Sequence, residues 1–96
     1  MYVVFVEYMI FYHSKLEYLE YMAIMQLKNP TMELLESADQ AGLFVEIWRE
    51  IDEENFLNMQ KGRLGQNQSS RGDLHKMIDI TKSPIRIWRF NQIQVS

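Results

Sequence analysis

The chain has 96 residues, a formal net charge of −3, 47% hydrophobic and 12% aromatic content, and no cysteine. A length of this order gives one domain, residues 1–96, with a single core that buries about 60–70% of the unfolded surface. Without cysteine there is no disulfide, thiolate metal site or thiol nucleophile, which suits a cytoplasmic location. The acidic balance speaks against nucleic acid, whose binding leaves a basic footprint.

Residues Tyr2 to Tyr12 are Val, Ile, Phe, Tyr and Met apart from Glu7. Near-continuous β-branched and aromatic composition predicts a strand buried on both faces. The run carries Glu7, lacks a basic leader and is too short to cross a bilayer, so neither a targeting segment nor membrane insertion is expected. Val3, Phe5, Glu7, Met9 and Phe11 form one face; Tyr2, Val4, Val6, Tyr8, Ile10 and Tyr12 form the other. Ser14-Lys15-Leu16-Glu17 reads as a capping box. The helix it opens carries two apolar stripes, Leu16/Leu19/Ala23/Leu27 and Tyr18/Tyr21/Met22/Met25, and stops at Asn29-Pro30.

Met32 to Ser37 and Leu43 to Ile51 read as two strands around a polar turn. Asp52 is an N-cap with Glu53 and Glu54 in the first turn, where the helix dipole favours negative charge. Phe56, Met59, Arg63 and Leu64 mark one face of that second helix. Gly62 and Gly65 weaken it, and Gln66 to Gly72 reads as a mobile polar loop. Leu74 to Ile80 makes a short helical turn, and Ser83-Pro84 breaks the chain before the strand Ile85 to Phe90.

The order is βαββαβ, an α+β ferredoxin-like arrangement with a four-stranded antiparallel sheet and two helices on one face. A first strand apolar on both sides then lacks a cover for one of them, which predicts a homodimer through the sheet face. The Tyr2/Val4/Val6/Tyr8/Ile10 set is the face assigned to the partner. Residues 1–48 hold two lysines against seven carboxylates, and residues 49–96 hold eight basic against six acidic groups. This division suits antiparallel docking of two subunits and suits solvated faces equally.

From Leu35-Glu36-Ser37-Ala38-Asp39 through Phe44-Val45-Glu46-Ile47-Trp48 to Asp52-Glu53-Glu54-Asn55-Phe56, the chain resembles the antibiotic-biosynthesis-monooxygenase-like family of dimeric α/β barrels. Members of that family share a strand ending in Glu-x-Trp, an acidic helix start and an early aromatic in that helix. The resemblance implies a cofactor-free monooxygenase-like enzyme acting on a small aromatic or polyketide-like compound. A non-catalytic small-ligand-binding or stress-related dimeric module is the alternative, since one fold hosts many functions. The haem-degrading branch has Asn on the first strand, Trp in the second helix and a later His. Glu7, Met59 and the stretch Gln66 to Ser69 stand at those places, so haem degradation is not expected.

Two residues are candidate catalytic groups. Glu7, the lone charge of its strand, becomes a general base if it faces the space between sheet and helices, where desolvation raises its pKa. Its bland role is an ion pair with Arg86 or Arg89. His75 is the other: an imidazole can act as acid, base or ligand, or hold a structural or surface place. Phe56, Met59, Arg63 and Trp48 are candidate ligand-binding residues for a small hydrophobic or aromatic compound, although Trp commonly serves core or interface and helix arginines commonly snorkel. No phosphate loop, metal cluster or Ser/His/Asp arrangement is recognisable, so neither metal nor cofactor is expected.

Overall fold

A computed structural model describes residues 1–64 and 72–95. Along the chain run β1 (Tyr2–Met9), α1 (Lys15–Lys28), β2 (Glu33–Glu36), β3 (Leu43–Ile51), α2 (Glu53–Arg63), α3 (Gly72–Met77) and β4 (Arg86–Asn91). The strands form one open antiparallel sheet in the order β2-β3-β1-β4. With its three helices the chain is an α+β protein compatible with the ferredoxin-like arrangement. The stretch Gln66 to Gly72, read as a mobile loop, falls outside the described residues except for Gly72, which opens α3. No helix among the described residues is long and apolar enough to cross a membrane.

β1 is the centre of the sheet. Its Val6 faces Glu46 of β3 on one side and Ile87 of β4 on the other. Side chains alternate across a strand, so this register fixes which residues share a face. Val4, Val6 and Tyr8 are fully buried and Ile10 nearly so, packed with Tyr18 and Met22 of α1, Phe56 of α2, and Leu74 and Met77 of α3.

That placement corrects the assignment of faces. The Tyr2/Val4/Val6/Tyr8/Ile10 set meets the chain's own helices, and Val3, Phe5 and Glu7 look out from the helix-free side. The physical reason is that both sets on β1 are about equally apolar, so alternation separates them without saying which one the helices cover. On the uncovered side Phe5 and Phe90 pack edge to face at 5.3 Å, and Trp88 lies against Phe90 at 6.4 Å. Trp88 and Phe90 remain 49% and 47% exposed.

α1 shows the same ambiguity resolved. Its core side is Tyr18 and Met22, with Tyr21 and Met25 partly buried against them, and the Leu16/Leu19/Ala23/Leu27 stripe faces outward. The expected capping box does not form. Ser14 ends a single 3₁₀ turn over Tyr12–Ser14, is buried, and makes no side-chain cap bond. That turn also ends β1 at Met9 rather than at Tyr12. Beyond it the backbone is held by Ile10 N–H to Gly42 O (2.8 Å) and Phe11 N–H to Met77 O (2.9 Å). Asp52 does cap α2, accepting the Asn55 amide at 2.8 Å.

Candidate functional site

On β3 the side chains facing the helices are Phe44, Glu46 and Trp48, so strand alternation puts a carboxylate between two aromatics in the core. Glu46 is completely buried. A buried carboxylate is costly unless its oxygens are satisfied and its charge paired. Both conditions are met. Arg63, near the end of α2, donates to it through Nη2 at 2.8 Å and Nε at 3.3 Å. The Trp48 indole N–H donates at 2.8 Å, and the Tyr8 hydroxyl donates to the other carboxylate oxygen. Tyr8 in turn shares a 2.7 Å hydrogen bond with Tyr18 of α1. Three strand or helix elements are thus joined through one carboxylate.

The electrostatics follow from this burial. Desolvation, then the nearby Glu46 charge, hold the Tyr8 phenol well above its ordinary range. Desolvation also raises Tyr18, more than its bond to Tyr8 lowers it. Burial acts to lower Arg63, but the charge and hydrogen bonds of Glu46 outweigh it, so the guanidinium stays protonated more firmly than usual. At neutral pH both phenols are therefore neutral. The carboxylate has its lone pairs occupied by three side chains, which leaves it poorly suited to accept a proton from a substrate.

Trp48 links this network to an open cleft of about 440 Å³ between the end of α1, β3 and α2. Ile51, Asn55 and Met59 line it beside the indole, with Lys28 and Arg49 at its edge. Ile51 belongs there because of a bulge. The register passes from Val4↔Trp48 to Tyr2↔Ile51, so β3 spends one residue more than β1. Glu50 takes up the extra length in the left-handed region, at φ 57°. The bulge turns Ile51 to the same side as Trp48.

The residues expected from sequence divide accordingly. Trp48 and Met59 share the cleft, and Arg63 reaches Trp48 through Glu46. His75 lies next to that group, its Nε2 3.0 Å from the Arg63 carbonyl oxygen. Phe56 does not line the cleft; it is buried against Tyr2 and beneath the Arg89 guanidinium, 4.6 Å from its ring. Glu7 does not face the space between sheet and helices. It lies on the helix-free side and pairs with Arg86 at 3.3 Å, because the period of two carries it with Val3 and Phe5. Among the described residues no three His, Asp or Glu side chains gather as metal ligands.

Sequence reasoning passed over Glu46 and Tyr8 as site residues. The signal was present in Phe44-Val45-Glu46-Ile47-Trp48, where a charge stands at an inward position between two inward aromatics. Tyr8 carried no comparable sign, since a buried tyrosine reads as core until its hydroxyl is seen to have a partner.

Compared with family models, with curated proteins and with solved structures, the chain matches none. The Glu46-x-Trp48 pair, which carried the family resemblance, is the same pair that joins the buried network to the cleft.

Proposed function

We propose that the protein is a small-ligand-binding module that works as a homodimer in the cytoplasm, with the Trp48 cleft as its binding site. The observation that carries this reading is the fixing of Trp48. Its indole edge is tied to a buried, fully paired carboxylate, and its ring borders a cleft of a size that holds a small molecule. A pre-positioned aromatic surface binds a planar apolar ligand with little loss of side-chain freedom.

The oxygenase-like alternative calls for a proton acceptor at the same cleft. Glu7 is on the other side of the sheet, His75 is engaged by the Arg63 carbonyl, and Glu46 is saturated by donors. Binding is the better supported reading. The dimer rests on the exposed Trp88 and Phe90 and the partly exposed Val3 and Phe5, a continuous apolar surface that single chains seldom leave in water.

The test is titration with a series of planar aromatic compounds, followed through the Trp48 indole N–H resonance, with Trp88→Phe used to assign it. Saturable shifts at Trp48 are expected. Their absence across the series would remove the binding reading, and consumption of oxygen by a bound compound would favour the oxygenase instead.

A further inference from the structure

We infer that the buried network is a one-electron relay, which carries an oxidising equivalent from Trp48 at the cleft to Tyr8 and Tyr18 in the core. This role goes beyond the binding reading and does not rest on it, since a radical oxidant needs only to reach the indole. Trp48 is partly exposed, whereas Tyr8, Tyr18 and Glu46 are completely buried. The network therefore has one end at the surface and the other shut away from water.

Its hydrogen bonds run in a direction that the donor count fixes. Glu46 Oε1 receives the Trp48 indole N–H at 2.8 Å, and Oε2 receives the Tyr8 hydroxyl. A phenol has one hydrogen to give. Tyr8 gives it to Glu46, so Tyr18 is the donor in the 2.7 Å bond between the two hydroxyls. Arg63 holds both carboxylate oxygens, Oε1 through Nη2 at 2.8 Å and Oε2 through Nε at 3.3 Å. One oxygen is thereby kept on the indole and the other on the phenol.

An electron leaves a neutral indole or phenol readily when its proton leaves too, and a proton passes between groups within hydrogen-bond reach. Both phenols are neutral, because burial holds them above their ordinary range. The saturation that bars a substrate's proton from Glu46 leaves transfer open along the bonds that saturate it. In the first step Trp48 gives an electron to an oxidising radical at the cleft and its N–H proton to Oε1. The oxidant leaves as its anion, and an indolyl radical remains. In the second step an electron passes from Tyr8 to that indolyl. The proton on Oε1 returns to the indole nitrogen, and the Tyr8 proton moves to Oε2. Trp48 is restored, Glu46 still holds one proton, and the phenoxyl radical is on Tyr8. In the third step a hydrogen atom crosses from the Tyr18 hydroxyl to the Tyr8 oxygen, and the radical lies on Tyr18. Among the described residues no other tyrosine shares a carboxylate with an indole: Tyr2 donates to the exposed Glu53, and Tyr12 is 95% exposed.

The experiment is pulse radiolysis of the full chain carrying Trp88→Phe, which leaves Trp48 as its one indole. The probe is the azide radical, which oxidises indoles in preference to neutral phenols. Indolyl absorbance is expected to decay as phenoxyl absorbance rises, at a rate independent of protein concentration and slower in deuterated water. Tyr8→Phe should lose the phenoxyl rise and leave a long-lived indolyl, with its fold checked by circular dichroism. Tyr18→Phe, Tyr12→Phe and Tyr21→Phe should each keep the rise. Indolyl decay without a phenoxyl rise would overturn the relay, as would a rise that scales with protein concentration, persists in Tyr8→Phe or vanishes in Tyr21→Phe. Equal rates in ordinary and deuterated water would overturn it too, and that readout needs no change to the network.

Discussion

Glu46 is the residue on which most of the interior depends. With Arg63 only 12% exposed in its side chain, removing the carboxylate strands a buried guanidinium. Glu46→Gln is expected to destabilise the fold by about 3–5 kcal/mol in chemical denaturation, and Tyr8→Phe by about 1–3 kcal/mol, because the latter removes one donor of several. Alkaline titration gives an independent check. The folded pKa of Tyr8 and Tyr18 lies above the unfolded value of about 10. The stability they contribute is fully present below that value and is lost as pH rises through their folded pKa. Of the five tyrosines, these two should therefore show no phenolate absorbance until the chain unfolds, and early ionisation of all five would contradict the buried network.

At the level of elements, a bulge and a turn carry conformations that the side chains there tolerate unequally. Glu50 occupies the left-handed region without being glycine, which costs about 1 kcal/mol. Glu50→Gly is expected to raise stability by about that amount and to preserve the Ile51 side of the cleft. Gly42 is the reverse case, with φ +91°, and a Cβ there would lie only 3.2 Å from the Ile10 carbonyl oxygen, so Gly42→Ala should destabilise. Acid sensitivity also belongs here, because depressed carboxylates tie elements together and brace the turn after α3. The Gly42 amide and then Lys15 lower Glu36, the Tyr2 hydroxyl and then Arg89 lower Glu53, and the Thr81 hydroxyl lowers Asp79. Their folded values lie below the unfolded ones of about 4, so their contribution is present above that pH and disappears as pH falls through the folded values. Melting temperature should hold above about pH 5 and fall below pH 4, and the fall should be shallower in Glu53→Gln, which has already lost its share.

For the whole molecule the two sides of β1 make opposite predictions. Phe5→Glu places a charge on the helix-free face, where a single chain can hydrate it, so the variant should fold and sediment as a monomer while the parent sediments as a dimer. Val6→Glu buries a carboxylate without a partner in the chain's own core and should abolish folding. Circular dichroism with analytical ultracentrifugation separates the two results. A folded, monomeric Val6→Glu would reverse the faces described here, and a parent that is itself monomeric at micromolar concentration would remove the dimer.

Element order, the two strand periods around Gly42, the Asp52 cap and the stop at Asn29-Pro30 were legible in the sequence because each depends on neighbours a few residues apart. Three decisions were made elsewhere. Which side of β1 and of α1 meets the core depends on where the helices settle, since both sides are apolar enough to qualify. The pairing of Glu46 with Arg63 joins residues from two elements, and no local spacing announces it. Glu7 was expected to be either a base or half of an ion pair. The strand period put it on one face, and only the packing of helices against the other face left it in partial contact with water, opposite Arg86. Local chemistry in this chain chose the elements, and the competition for a single covered sheet face chose which residues could form a site.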